Sequence, residues 1–374
     1  MGATPGASTG RHADDGDAML QIDGSYGEGG GQIIRTSLSL SVLTGRPVEI
    51  YNVRAGRKKP GLQPQHLASV RAAGALCNAE IEGAAVGSVR FLFTPGGPPR
   101  PQQYRFDIGT AGATPLVAQT VLVPLALAGG GSHVTITGGT HVPHAPSAEY
   151  VEAVYVPVLQ RAGLDVAFSY PAAGFYPRGG GQVELEVRAP ALPTSLDLSD
   201  RGKLRSLRAF IITSNLPEHV AERGAAAVEK FMKAVGRGVT VERREKPSPS
   251  TGAAVVLVAE CENGTGAFTG IGERGRPMEQ VAEAPCEEFM RWWKTGAACD
   301  GHLSDQLVLP MALAAGESRW SAPVVTEHLR TVLWVAAQFL PVEHRLEERA
   351  DGSALVVLRG AGGSDLRAMA GSVG

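Results

Sequence analysis

A chain of 374 residues exceeds the usual size of one compact domain, so two domains or a set of repeats is expected. A formal net charge of -2 excludes a protein that coats nucleic acid through global basicity but leaves room for a local basic cleft. With 48 glycines, 25 prolines and 19% charged residues, the chain reads as a globular protein of short elements and tight turns, without a collagen period or a long low-complexity tract.

The first residues, MGATPGASTGRHADDGDA, lack the charged-then-apolar pattern of a signal and read as a disordered leader over residues 1–17. Next come an apolar strand, LQID, the loop GSYGEGGG, a helix, QIIRTSLSLSVLTG, and a basic turn, VRAGRKKPGLQPQH. Gly27, Gly29, Gly30 and Gly31 let backbone N–H groups approach an anion, and the positive end of the helix points at the same place. Arg35, Arg54, Arg57, Lys58, Lys59 and His66 supply side-chain donors. Neither common phosphate motif fits: Gln32 stands where the P-loop needs Lys-Ser/Thr and where the dinucleotide fingerprint needs a third glycine. Glu28 inside the glycine run is either a solvated acid or a ligand for a divalent cation of the Mg or Mn type, since a bare carboxylate would repel bound phosphate.

Further along, amphipathic helices leading into strands are predicted over residues 66–83, 149–170 and 327–348. QTVLVPLALAG, from Gln119, and QLVLPMALAAG, from Gln306, echo each other, as do GEGGGQIIR and PRGGGQVELEV. The simplest account is a βαβαββ unit used three times. Residues 198–294 break the pattern with strands LRAFIITS, VTVERREK and AAVVLVAEC and two helices, so they read as a small α+β insert within a repeat domain of residues 18–197 and 295–374. The four cysteines show no metal-ligand spacing and no apolar run spans a membrane, so a soluble, cytoplasmic protein is expected.

The segments DGSYGEGGGQIIRTSLSLS, VRAGRKKPGLQPQHL, GTAGAT, GGT…P.AP, GFYPRGGG and LSDQLVLPMALA, in this order from about residue 20 to 345, resemble the RNA 3'-terminal phosphate cyclase family. The resemblance implies an α+β fold of three βαβαββ-type repeats with a thioredoxin-like insert. It also implies ATP-dependent conversion of an RNA 3'-phosphate to a 2',3'-cyclic phosphate through a covalent histidine-AMP intermediate. Of nine histidines, His328 matches the family's nucleophile. Asp305 is expected to orient it through the second ring nitrogen, and Glu28 to hold the metal.

For ATP, the resemblance implies contacts from Gln119, Pro146, Tyr150, His302, Leu303, Ser304, Asp305 and Gln306, with Tyr150 offering an aromatic face. His302 departs from the family's usual tyrosine and is the competing candidate for nucleophile. Arg35, Arg54, Arg57, Gln65 and His66 are expected near the RNA end and the triphosphate, where the planar guanidinium pairs two phosphate oxygens at once. His141 and His144 also depart from the family pattern and read as loop residues. A non-adenylating, cyclase-like ribosome-assembly factor is the alternative of the same fold. The sequence leaves the oligomeric state open.

Overall fold

The computed structural model describes residues 19–363; the leader expected over residues 1–17 and the end of the chain from residue 364 lie outside the described residues. The first repeat runs β1 (Leu20–Asp23), α1 (Gly31–Thr44), β2 (Val48–Tyr51), α2 (Pro64–Cys77), β3 (Glu80–Glu82) and β4 (Phe91–Thr94). The second runs β5 (Gln103–Asp107), α3 (Thr114–Ala126), β6 (Ser132–Gly138), a helix made of α4 (Ala148–Tyr150), a π segment (Val151–Tyr155) and α5 (Val156–Arg161), then β7 (Asp165–Ala172) and β8 (Gly181–Ala189). The third opens with β9 (Asp197–Leu198) and is interrupted by β10 (Leu204–Ser214), α6 (Glu218–Ala234), β11 (Thr240–Glu245), β12 (Gly252–Cys261), β13 (Thr265–Ile271) and α7 (Met278–Thr295). It resumes with α8 (Gly301–Gln306), α9 (Val308–Leu313), β14 (Ala315–Ala322), α10 (Glu327–Phe339), β15 (Glu343–Glu348) and β16 (Ala354–Ala361).

Three sheets have one strand order, β1-β2-β4-β3, β5-β6-β8-β7 and β9-β14-β16-β15. In each, the first two strands are parallel and the others antiparallel. That is the pattern expected when a helix crosses over between the parallel pair and a short connection joins the last two strands. The fold class read from the sequence is therefore the observed one. The fourth sheet, β11-β10-β12-β13, pairs β10 and β11 in parallel and β12 antiparallel to both its neighbours, the order of a thioredoxin-like unit.

Why AAVVLVAEC is apolar without alternation is now clear. Val255 and Leu257 of β12 pack under α6 and α7, whereas Val256 and Val258 join the core of the three repeats. Successive strand residues face opposite sides, and here both sides are covered. The insert is thereby seated on the repeats, which brings β13 to the functional cavity. β13 itself has no counterpart among the predicted strands, because TGAFTGI carries glycines where a strand signal needs β-branched residues.

Three other readings are corrected. GGGQ opens a helix at α1 but a strand at β8, because VELEV continues with period-2 alternation. The helix after Gln119 starts earlier, at Thr114 with Pro115 in its first turn, and the helix carrying Gln306 is broken at Leu307, where Pro310 removes an N–H. The helix predicted to lead into a strand over residues 149–170 does so, but it contains a π segment just before Pro157, which likewise lacks the N–H that an α ladder would use.

α1 contacts α2, α3 and α10, so it is covered on several sides. Two of its three buried serines tolerate this because their hydroxyls find carbonyls, Ser39 donating to Thr120 O at 2.8 Å and Ser41 to Arg46 O at 2.6 Å, whereas the Ser37 hydroxyl has no partner among the described residues. This central helix ends at the junction of the repeats, and its N-terminus is where the site forms.

Candidate active site

The first helix of each repeat contributes to one cavity of ≈ 600 Å³: Arg35 from α1, Gln119 from α3 and Gln306 from α8. The glycine loop, the basic turn, residues 142–146, Thr269 and Ile271 of β13, and His302 and His328 complete its wall. The sequence reading did not assign Thr269 and Ile271 to the site, since they lie on the strand it missed.

At the floor, Gly30 caps α1 without a side-chain hydrogen bond, leaving the first-turn N–H groups directed toward the cavity. Gly27 and Gly29 adopt φ of 56° and 59°, a conformation that L side chains rarely take. Gly31 has a different reason: a Cβ there would overlap the His66 ring and lie 3.1 Å from Arg35 Nη1.

Arg35 has no acidic or hydrogen-bond partner among the described residues, and burial brings its pKa down to about 10. His66 Nδ1 accepts the Gln63 N–H at 3.1 Å, which fixes the tautomer with hydrogen on Nε2. Burial, with Arg35 and Arg54 nearby, pushes the His66 pKa down to about 3, so the ring is a neutral N–H donor. Arg54 donates to Lys59 O at 2.7 Å and Gly61 O at 3.0 Å, holding the basic turn. Gln65 accepts the Ala113 N–H at 3.0 Å and thereby braces the start of α3.

Glu28 sits between Arg57 and His328, contacting Arg57 with one carboxylate oxygen and His328 Nε2 with the other. His328 lies in the first turn of α10, partly exposed to the cavity. Burial lowers its pKa despite Glu28, helped by Arg35, His302 and Arg57, so the imidazole is neutral near pH 7.

The carboxylate on His328 is thus Glu28, not Asp305 as expected. Asp305 instead accepts the hydroxyl proton of Thr326 at 2.7 Å, and Thr326 Oγ1 caps α10 through the Leu329 N–H at 2.9 Å. Asp305 therefore acts on the helix that carries His328. Burial, with Asp300 and Glu28 nearby, pushes its pKa up to about 8.

Several expected nucleotide contacts are redistributed. Pro146, His302, Gln119, Asp305 and Gln306 line the cavity. Tyr150 does not: it is buried, its hydroxyl donates to Asp300 at 3.4 Å, and His302 packs edge-on against it at 6.2 Å. His302, not Tyr150, lines the cavity. Leu303 and Ser304 are buried too, and Ser304 Oγ accepts the Trp320 indole N–H at 3.0 Å. A six-residue helix has a core face and a cavity face, and these two residues occupy the former.

Two amide atoms are conspicuous. Gln119 Nε2 and Gln306 Oε1 are buried with no hydrogen-bond partner among the described residues, beside a water-sized space of ≈ 40 Å³. Leaving such atoms unpaired costs about 1–3 kcal/mol each, so the site is built for a polar occupant.

The sequence reading also missed Asp300 and did not foresee the burial of His141. Asp300 caps α8 through the Leu303 N–H at 2.8 Å and accepts the Ala267 N–H at 3.1 Å, tying β13 to the site; an Asp preceding a helix was the available signal. His141 is a loop residue, as read, but fully buried, bonded to Thr140 at 2.8 Å and to Glu149. His144 remains in the cavity loop at φ 61°.

The family description RNA 3'-terminal phosphate cyclase matches residues 26–346. The chain belongs to the RNA 3'-terminal phosphate cyclase family. Among curated relatives of that name, the protein of Nostoc punctiforme is 44% identical over 336 residues, covering 88% of this chain and 97% of the relative. Those of Methylococcus capsulatus and Pyrobaculum neutrophilum are 43% and 42% identical, covering 89% and 92% of the chain and 95% and 99% of the relatives. Within this cyclase family member, no helix among the described residues is long and apolar enough to cross a membrane.

Proposed function

We propose that this chain uses ATP to convert an RNA 3'-terminal phosphate to a 2',3'-cyclic phosphate, with His328 as the nucleophile. The observation that carries the reading is the convergence of a neutral, partly exposed His328, Glu28 and the uncapped N-terminus of α1 on one cavity. A ring nitrogen attacks the α-phosphorus of ATP, and the bond to the pyrophosphate oxygen breaks. The RNA 3'-phosphate then attacks the same phosphorus and releases the imidazole, giving an RNA-adenylate anhydride. Finally the adjacent 2'-hydroxyl attacks the RNA phosphorus, loses its proton and expels AMP. Adenylation supplies a leaving group that a phosphate monoester lacks, and ring closure is intramolecular, so positioning supplies much of the rate. The overall reaction is that of an ATP-consuming ligase forming a phosphoric ester.

Arg35, the His66 Nε2–H and the α1 N-terminus are the donors for the phosphates, and Gln119 and Gln306 offer their unpaired amide atoms. His302 and Pro146 provide flat surfaces for the base. Among the described residues no group of three acidic, cysteine or histidine side chains forms a metal cage. A single carboxylate beside a phosphate cradle still fits Mg or Mn, which takes most of its ligands from phosphate and water. Glu28 would hold it, and the cation would neutralise phosphate charge when bound. The free, buried state of all four cysteines supports a reducing, cytoplasmic setting.

Intact mass after incubation with ATP and Mg tests the reading. The wild-type chain should gain one AMP, Glu28→Ala should gain it more slowly while keeping its circular dichroism, and His328→Ala should gain none. An adduct that persists in His328→Ala, or disappears in His302→Ala instead, assigns the wrong histidine.

A further inference from the structure

A second cavity, of ≈ 540 Å³, adjoins the first across Pro143 and Ile271, which line both. On its wall stands Tyr176, 74% exposed. Its ring projects from a turn whose backbone is anchored. The preceding Phe175 is buried, stacks on His141 at 5.2 Å, and fills the space that a side chain at Gly252 would need. The Phe175 carbonyl accepts the Gly179 N–H at 2.8 Å and the Ser250 hydroxyl at 3.2 Å, so the turn is fastened to the insert. Arg178 adds a bond to Pro249 O at 3.3 Å.

Tyr26, the other exposed tyrosine near the active site, provides a contrast. Its ring is already stacked on Trp334 at 4.0 Å and 15°. Tyr176 has no aromatic or cation partner among the described residues. Arg274 lines the same cavity, and Arg178 is exposed two residues further along the turn; neither carries an ion pair among the described residues, and one acid, Glu273, shares the rim.

We propose that this cavity is a subsite for the RNA strand upstream of its reacting end, with a nucleobase stacked on Tyr176 and the strand's phosphates near Arg178 and Arg274. The inference rests on the reading of the first cavity as the place of the RNA 3'-phosphate. A strand whose end lies there must leave the active site, and the second cavity is next to it, sharing Pro143 and Ile271. An exposed aromatic on an anchored turn, near arginines that carry no ion pair, matches single-stranded nucleic acid, since every base has a face to stack and every linkage a charge. A second protein would instead call for a wider apolar patch than one ring and its turn. Stacking reads no base edge, so the subsite favours length over sequence.

The test uses a fluorescent ten-nucleotide RNA and a dinucleotide, both with 3'-phosphates, and reads binding by anisotropy with no turnover required. Tyr176→Ala should weaken binding of the ten-mer by roughly 5- to 150-fold while Tyr176→Trp preserves it. The dinucleotide should lose less, and covalent AMP formation from ATP alone should be unchanged. Equal losses for both RNAs, or no loss for the ten-mer, would overturn the proposal. So would tight binding of the ten-mer by a variant in which Arg178, Arg274 and Tyr176 are all alanine. A wild-type chain that binds RNA but forms no AMP adduct would instead overturn the nucleotidyl-transfer reading and leave the binding comparison to decide the subsite.

Discussion

Replacing Asp305 by Asn should stabilise the ligand-free protein, and the gain should grow with pH. Asp305 is 5% exposed and burial pushes its carboxyl pKa up to about 8 from an ordinary value of 3.8. Between these values the folded state holds a proton that the unfolded state has released. Stability is therefore fully present below pH ~4 and falls as pH rises toward ~8, by up to about 1.4 kcal/mol per unit. At pH 7 the accumulated cost is about 4 kcal/mol, an upper limit because local relaxation and water reduce it. An amide pays no such cost and still accepts the Thr326 hydroxyl through Oδ1. Urea titrations of wild type and Asp305→Asn, read by circular dichroism from pH 5 to 8, should diverge steadily, the variant being the more stable. Parallel curves would refute the argument, because the wild-type slope would then come from other groups. AMP-adduct formation is the second readout: with the cap on α10 intact, the variant should stay within about tenfold of wild type.

His66 should behave in the opposite sense. Its folded pKa is near 3 against an ordinary 6.5, so its contribution is present above pH ~6.5 and lost as pH falls toward 3. His66→Gln should flatten the acid limb of the stability profile by up to about 1.4 kcal/mol per pH unit, and an unchanged limb between pH 6 and 4 would contradict the burial argument. Gly31→Ala should cost about 1–3 kcal/mol in urea unfolding and reduce AMP-adduct yield, because the added methyl displaces the His66 ring from the phosphate floor. Full activity in Gly31→Ala would show that the ring can move without consequence.

The repeat architecture was legible because strand and helix periods, glycine stops and proline positions recur along the chain. The glycine run opening an apolar helix was legible too, but the sequence left Glu28 open between a solvated acid and a cation ligand. What the helix signals could not convey was which face each residue takes. Tyr150 and His302 both suit a base-stacking role by residue type, yet packing buried one beneath the other. Asp305 and Glu28 are equally plausible partners for an imidazole. Only the loop's course places Glu28 on His328 and leaves Asp305 on Thr326.

The amino-acid sequence by itself determined the order of elements, the family and the chemistry available at each turn, since these depend on local period and residue type. The tertiary structure decided who meets whom. Glu28 and His328 come from opposite ends of the chain, and Thr269 and Ile271 from a strand too glycine-rich to announce itself. Those meetings follow from three repeats closing around α1 and from a sheet buried on both faces. Both are properties of long-range packing, which no local pattern encodes.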